Sequence, residues 1–222
     1  MDYPSFTERK LYNPMVIQEN IDLKKFHTLS FHAISKYWVE IKNTEEVFPF
    51  IKSNLFKKRD FFILGGGSNV LFTKTFQGTI LKIGIKGIEI LEEDDYSILI
   101  KAGAGEVWND LVMYAVKNNW GGIENLSLIP GTVGATPIQN IGAYGVEVKD
   151  SIEWVETINL LDGTRKSWQN SDCQFGYRSS IFKKNKNFLI TSVTYRLHKN
   201  PKTFSCQYGP LQKMFSPPMV SL

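Results

Sequence analysis

Tyr177 and Arg178 stand side by side in CQFGYRSSIFK (173–183), between a predicted hairpin and a predicted strand. A fixed arginine there presents a planar fork that suits a carboxylate or an enolate oxygen. An unfixed one is a solvated surface charge. Upstream, ILGGGSNVLF (63–72) runs an apolar stretch into Gly65, Gly66 and Gly67, followed by Ser68 and Asn69. Successive backbone N–H groups in such a turn make an anion nest, and the two polar side chains add donors. A pyrophosphate is the natural ligand. A dinucleotide fingerprint of the GxGxxG kind would run on into a helix, whereas Val70-Leu71-Phe72 is strand-like, so the pattern predicts a strand–turn–strand phosphate loop. Taken alone, the glycine triplet serves equally as a tight structural turn.

The third stretch, Gly121 to Glu147, holds six glycines, two prolines and only Glu124 as an acidic residue before Glu147. Glycine permits close backbone approach and positive φ, and proline fixes the path. Leu126, Leu128, Ile129, Val133, Ile138 and Ile141 give it apolar anchors of its own, against disorder. Such a stretch reads as a rigid wall of N–H donors, joined by Thr132, Thr136, Gln139 and Asn140, and suited to a flavin ring and its diphosphate. The alternative is a long surface loop.

These stretches need a scaffold. KYWVEIK from Lys36, DFFIL (60–64), GTILKIG (78–84), GIEIL (87–91) and SILIKAGAG (97–105) read as strands. Asn43-Thr44 with two glutamates opens a predicted helix running to about Phe56. From Glu106 to Asn118 an apolar stripe predicts a second helix, with Gly121 as its terminator. A hairpin about Asp162-Gly163 and a strand over 188–197 come after it. The fold class is α+β in two lobes: a polar lead-in over 1–20, a first lobe over 21–85, a second over 86–199, and the start of something further over 200–222.

Composition excludes little but points consistently. The chain has 222 residues, 42% hydrophobic and 22% charged, with net charge +4. The basic residues are spread out, which argues against nucleic acid. Two cysteines far apart fit a reducing compartment. No apolar run reaches the length of a membrane span, and the first residues carry no signal-peptide core. The expectation is a cytoplasmic protein with no metal site and no membrane partner; a monomer is favoured, without a sequence feature that fixes the oligomeric state.

ILGGGSNVLF, GAGEVWNDLV, IENLSLIPGTVGATPIQNIGAYGVE and CQFGYRSSIFK, in that order, resemble the consecutive motifs of the UDP-N-acetylenolpyruvoylglucosamine reductase (UDP-N-acetylmuramate dehydrogenase) family. HTLSFHA (27–33) resembles that family's entry motif, with His27 and Leu29 as departures. The resemblance implies a two-lobed FAD-binding module of the vanillyl-alcohol-oxidase type, followed by a third, substrate-binding domain. It implies noncovalent FAD, NADPH as hydride donor, and UDP-N-acetylglucosamine enolpyruvate as substrate in peptidoglycan synthesis. It assigns FAD contacts to Gly65, Gly66, Gly67, Ser68, Asn69, Pro130, Gly131, Thr132, Gly134, Ala135, Thr136, Asn140, Gly142 and Ala143. Ala135 stands where some members carry serine. Arg178 matches the arginine that stabilises the enolate, and Tyr208 a tyrosine that reaches over the UDP part of the substrate; Tyr177, beside Arg178, is expected to position substrate, and Tyr144 to contact substrate or flavin. The family's proton-donating serine belongs to a motif of the third domain, expected beyond about residue 210 and absent from these residues. Ser180 sits in a similar-looking stretch, but Tyr177-Arg178 identifies that stretch as the arginine motif. The alternative within the family is a noncatalytic FAD-binding relic.

Overall fold

In the computed structural model, residues 15–57 and 60–201 are described. The chain opens with β1 (Ile17–Asp22) and β2 (Ile34–Ile41), then α1 (Val47–Lys52), α2 (Asn54–Lys57), β3 (Phe61–Leu64) and β4 (Phe76–Ile83). The first sheet has the order β1-β2-β4-β3, with β1 antiparallel to β2, and β4 parallel to both β2 and β3. β4 therefore inserts between strands that precede it. Parallel neighbours need a return path rather than a tight hairpin, and residues 65–75 supply it.

The second sheet is antiparallel. β5 (Ile88–Glu93), β6 (Ser97–Gly103), β10 (Ile152–Asn159), β11 (Arg165–Gln169) and β12 (Phe188–Lys199) take the order β11-β10-β12-β6-β5. Between β6 and β10 lie α3 (Trp108–Lys117), β7 (Trp120–Gly121), and the small pair β8 (Gly142–Ala143) and β9 (Val146–Glu147). Strand β7 pairs with β12. Helix α4 (Ile181–Lys184) precedes β12.

The stripe expected from Val107 to Val116 is mostly buried: Trp108, Leu111, Val112 and Ala115 are in the core and Val116 packs against it, whereas Val107, the residue before α3, is exposed. One continuous core runs through both sheets, from Val39, Leu81 and Phe50 to Ile100, Trp108, Val155 and Tyr195. A smaller core of Leu23, Ala33, Trp38, Leu64 and Ile80 closes the other face of the first sheet. Full burial of such side chains stabilises by ~1.5–3 kcal/mol each.

The structure departs from the sequence expectations at several places. The lead-in expected over 1–20 contains the start of β1 at Ile17. Its six residues alternate weakly because an edge strand exposed on both faces has no face to make apolar. The helix expected over 44–56 is broken: a 3-10 turn at Thr44–Glu46 leads into α1, and Ser53 adopts an extended conformation before α2. Val70 to Phe72 form no strand. Val70 and Phe72 instead pack, partly buried, against the small core, while Leu71 is exposed. Helix α3 ends without help from Gly121: Asn119 takes the left-handed turn at φ 57°, as asparagine tolerates, and Gly121 lies in β7. Tyr208 and most of the stretch after residue 199 lie outside the described residues.

Candidate functional site

Two backbone loops from opposite parts of the chain meet face to face. A Cβ on Gly66 would stand 2.8 Å from the Gly131 Cα, and one on Gly65 would stand 2.8 Å from the Thr132 Oγ1. Gly67 has φ +70°, and a Cβ there would fall 2.0 Å from the Phe26 carbonyl oxygen. At Gly66 and Gly67 the atoms in the way are backbone, so only glycine fits there, Gly67 for backbone angle as well; at Gly65 the obstruction is the Thr132 hydroxyl. Ser68 Oγ donates to the Pro130 carbonyl at 3.3 Å, and Asn69 Nδ2 reaches Gln139 Oε1 at 3.5 Å. So the predicted phosphate loop and the predicted wall clasp each other directly.

The wall is anchored from behind by α3 and the residues that lead into it. Trp108 N donates to the Gly131 carbonyl at 3.1 Å, Val133 N to the Glu106 carbonyl at 2.9 Å, and Gly134 N to the Ala104 carbonyl at 2.9 Å. Trp108 Nε1 donates to the Leu126 carbonyl at 2.8 Å inside the core. Thr136 Oγ1 donates to the Val133 carbonyl at 2.8 Å and shares a 2.9 Å hydrogen bond with the Tyr195 hydroxyl on β12. Burial raises the Tyr195 hydroxyl well above its ordinary pKa, although the Thr136 bond lowers it somewhat. The pair thus stays neutral and fixes the wall to the sheet.

A cavity of 260 Å³ lies between the loops. Gly65 to Val70 line it from one side, and Pro130, Gly131, Thr132, Ala135, Thr136, Ile138, Gln139 and Ile141 from the other. A second cavity of 780 Å³ shares Gly66, Ser68, Pro130, Gly131 and Thr132 with it and extends along Lys42, Lys82, Gly84, Lys86 and Gly105. Among the described residues, the N–H groups of Gly66, Gly67, Ser68, Asn69, Gly131 and Thr132 donate to no protein acceptor. Unpaired donors around a concave space, with small side chains and mixed apolar walls, fit an extended anionic ligand with a flat ring.

Of the sequence-derived ligand residues, Gly65 to Asn69, Pro130 to Thr132, Ala135 and Thr136 come together on the first cavity. Four do not line it. Gly134 packs on Ala104, where a Cβ would stand at 2.7 Å. Asn140 is buried, and its amide is already occupied: Nδ2 donates to the Gly176 carbonyl at 3.2 Å and Oδ1 accepts from Lys149 N at 3.1 Å. Gly142 and Ala143 form β8, beside the cavity rather than in it. Sequence reasoning left out Ile138, Ile141, Lys183 and Lys82 as ligand residues, whereas Gln139, expected among the wall's donors, does line the cavity.

Arg178 is exposed, with its backbone in the left-handed region at φ 49°. Its guanidinium lies 3.5 Å from the Gly142 carbonyl, next to the cavity-lining Ile141. Lys183 Nζ donates to the Arg178 carbonyl at 2.8 Å, and Lys183 itself lines the cavity. The arginine therefore stands at the rim, beside the β8–β9 turn that carries exposed Tyr144. Tyr177 is 88% exposed next to it. Glu147 on β9 is held below the ordinary carboxylate range by its bond to Lys149, and Arg178 contributes to the same effect. Ser180 plays a structural role: it is buried, donates to the Ile138 carbonyl at 2.7 Å, and caps α4.

Residues 35–167 match the family described as FAD binding domain. Among curated proteins, the chain is 44% identical over 199 residues to the UDP-N-acetylenolpyruvoylglucosamine reductase of Flavobacterium johnsoniae, covering 89% of this chain and 58% of that protein. It is 41% identical to the reductase of the same name from Bacteroides fragilis strain YCH46, covering 89% and 59%. The chain thus spans about three-fifths of the length of the curated relatives it matches. Among solved structures, UDP-N-acetylenolpyruvylglucosamine reductase from Thermus caldophilus superposes with TM-score 0.70 at 23% identity, over 84% of this chain and 64% of that one. Cholesterol oxidase from Brevibacterium sterolicum gives TM-score 0.59 at 14% identity, over 90% and 40%. These likenesses show the two-lobed α+β fold of the vanillyl-alcohol-oxidase type.

Proposed function

This chain belongs to the FAD binding domain family, and on that premise we propose that it holds FAD noncovalently between its glycine loop and its wall. We further propose that it serves the NADPH-dependent reduction of UDP-N-acetylglucosamine enolpyruvate to UDP-N-acetylmuramate, a cytoplasmic step of peptidoglycan synthesis. The observation that carries this reading is the Gly66–Gly131 contact, with unpaired N–H donors on both loops opening onto adjoining cavities. The names of the relatives supply the substrate.

The residues present fit the cofactor. Gly66 to Asn69 and Gly131-Thr132 offer donors for a diphosphate; Ala135, Ile138 and Ile141 offer an apolar wall for a ring. When bound, FAD supplies a carrier that takes hydride from NADPH and passes it to the enolpyruvyl double bond. Arg178 would act on the enolate, a role that its charge and its place beside the Gly142 carbonyl support. Negative charge grows on the enolate oxygens as hydride arrives, and a cation at the cavity rim lowers the barrier in proportion to that charge. The turn about Tyr144 and the exposed ring of Tyr177 frame the approach to the same rim. In the family resemblance the proton comes from a serine outside these motifs, and no residue in 1–222 is assigned that step.

Anaerobic mixing tests the proposal. Purified protein loaded with FAD is expected to lose its yellow absorbance with NADPH and regain it when the enolpyruvyl nucleotide sugar is added. A flavin bound but never bleached by NADPH would leave only a binding module and contradict the reductase reading.

A further inference from the structure

Lys82 occupies a place where alternation calls for an apolar residue. On β4, Ile80 packs in the small core, and Lys82 lies two residues further on, so both point to the same face. It lies between Glu40 on β2 and Leu64 on β3, the residue just before the glycine loop. Its side chain is half-buried, and its ammonium donates to the carbonyl oxygen of Gly65. Desolvation holds its pKa below the ordinary lysine value, against a partial opposing effect of Glu40.

The charges around it differ in kind. Lys42 pairs with Glu40 at 3.8 Å and Lys86 with Glu106 at 3.2 Å. Among the described residues, Lys82 has no carboxylate within ion-pair distance. A half-buried cation without a counter-ion is unfavourable in a free protein. It becomes favourable if an anion comes to the loop that the cation supports. The larger cavity, which Lys82 lines together with Gly66, Gly131 and Thr132, leads there.

We propose that Lys82 is a positioning residue for the diphosphate of the bound dinucleotide: it fixes the Gly65–Gly66 peptide and backs the loop with a positive charge that no direct ion pair neutralises and Glu40 offsets only in part. In a trans peptide the C=O and N–H point in opposite directions. Holding the Gly65 carbonyl on Lys82 therefore turns the Gly66 N–H away from the sheet, as an anion donor must be turned. The unpaired charge adds a field at short range in a poorly solvated place, where it is weakly screened. The inference rests on the proposed binding of FAD.

The test compares FAD with riboflavin, which carries the same ring without phosphates, by fluorescence titration at low and high salt. Lys82→Met removes charge and donor; Lys82→Gln keeps a donor without charge and serves as the second variant; Lys82→Arg restores the charge. Lys82→Met is expected to weaken FAD by roughly ten- to hundredfold, to leave riboflavin unchanged and to flatten the salt dependence. Its unliganded melting temperature is expected to hold or rise, because a buried charge is gone. Lys82→Gln is expected to lose the salt dependence, and Lys82→Arg to recover part of the affinity. FAD affinity within about twofold of wild type in both neutral variants, or equal losses for FAD and riboflavin, overturns the inference and leaves FAD binding standing. Wild-type protein that binds no FAD overturns both.

Discussion

Gly66 and Gly131 meet through bare backbone: a single added methyl on Gly66 would lie 2.8 Å from the Gly131 Cα. Everything the site can do depends on that closeness. Gly66→Ala should force the loops apart, because the atom in the way belongs to a main chain held by α3. The expected cost is ~1–3 kcal/mol of stability together with loss of flavin binding. Gly67→Ala should cost more, since φ +70° and a carbonyl at 2.0 Å both oppose it. Thermal melting with and without FAD reads both effects.

Trp108 ties the wall to the helix. Trp108→Phe keeps most of the packing but leaves the Leu126 carbonyl without its indole donor inside the core. A buried acceptor without a donor costs ~1–3 kcal/mol. Tyr195→Phe should cost less, because Thr136 retains its bond to the Val133 carbonyl. Chemical denaturation of the two variants, side by side, orders them.

Arg178 should separate chemistry from folding. It is exposed, and its guanidinium makes a long bond to the Gly142 carbonyl. Arg178→Ala is expected to melt within ~0.5 kcal/mol of wild type and to bind FAD as well. Reoxidation of reduced flavin by the enolpyruvyl substrate should slow by ~10²–10³-fold. Stopped-flow absorbance distinguishes this from a general loss.

Cys173 should be inert in the native protein. Burial first, then the neighbouring Asp172, push its thiol up to about 12, so almost no thiolate exists at neutral pH. Alkylation at pH 8 followed by peptide mass mapping should find Cys173 unmodified until denaturant is added.

The Glu156 carboxylate should make stability fall in acid. Burial raises its pKa, but the Lys101 ion pair and the Ser192 hydroxyl together outweigh that and hold it below 4.5. A carboxylate held down in the folded state contributes stability that is present above the unfolded value and lost as pH falls through the folded one. The stability gap between wild type and Glu156→Gln should therefore be widest above 4.5 and close below it. Urea unfolding across that range gives the gap directly.

The glycine loop and the wall were legible in the sequence as places suited to close backbone contact, although the same composition also suits a tight turn or a surface loop; the Gly66–Gly131 approach decides for contact. The stripe on α3 was legible because its period matches the face it buries, and β6 and β12 because they are apolar runs buried on both faces; β5 is exposed throughout and showed itself only by its apolar, β-branched composition. Other features were set by distant partners. Val70 to Phe72 look like a strand, yet the parallel pairing of β3 with β4 makes them a return path. Asn140 looks like a ligand donor, yet Gly176 and Lys149 claim its amide. Lys82, in an alternating strand, looks like a solvent-facing residue, and only the sheet order places it behind Gly65.

Equilibrium titration of the purified chain with FAD decides whether the Gly66 and Gly131 loops clasp the cofactor. Saturable, equimolar binding is expected, with a flavin absorbance that acid precipitation releases intact, and no such binding for Gly67→Ala. A chain that stays colourless in excess FAD, or a folded Gly67→Ala variant that binds it equally well, overturns the clasp.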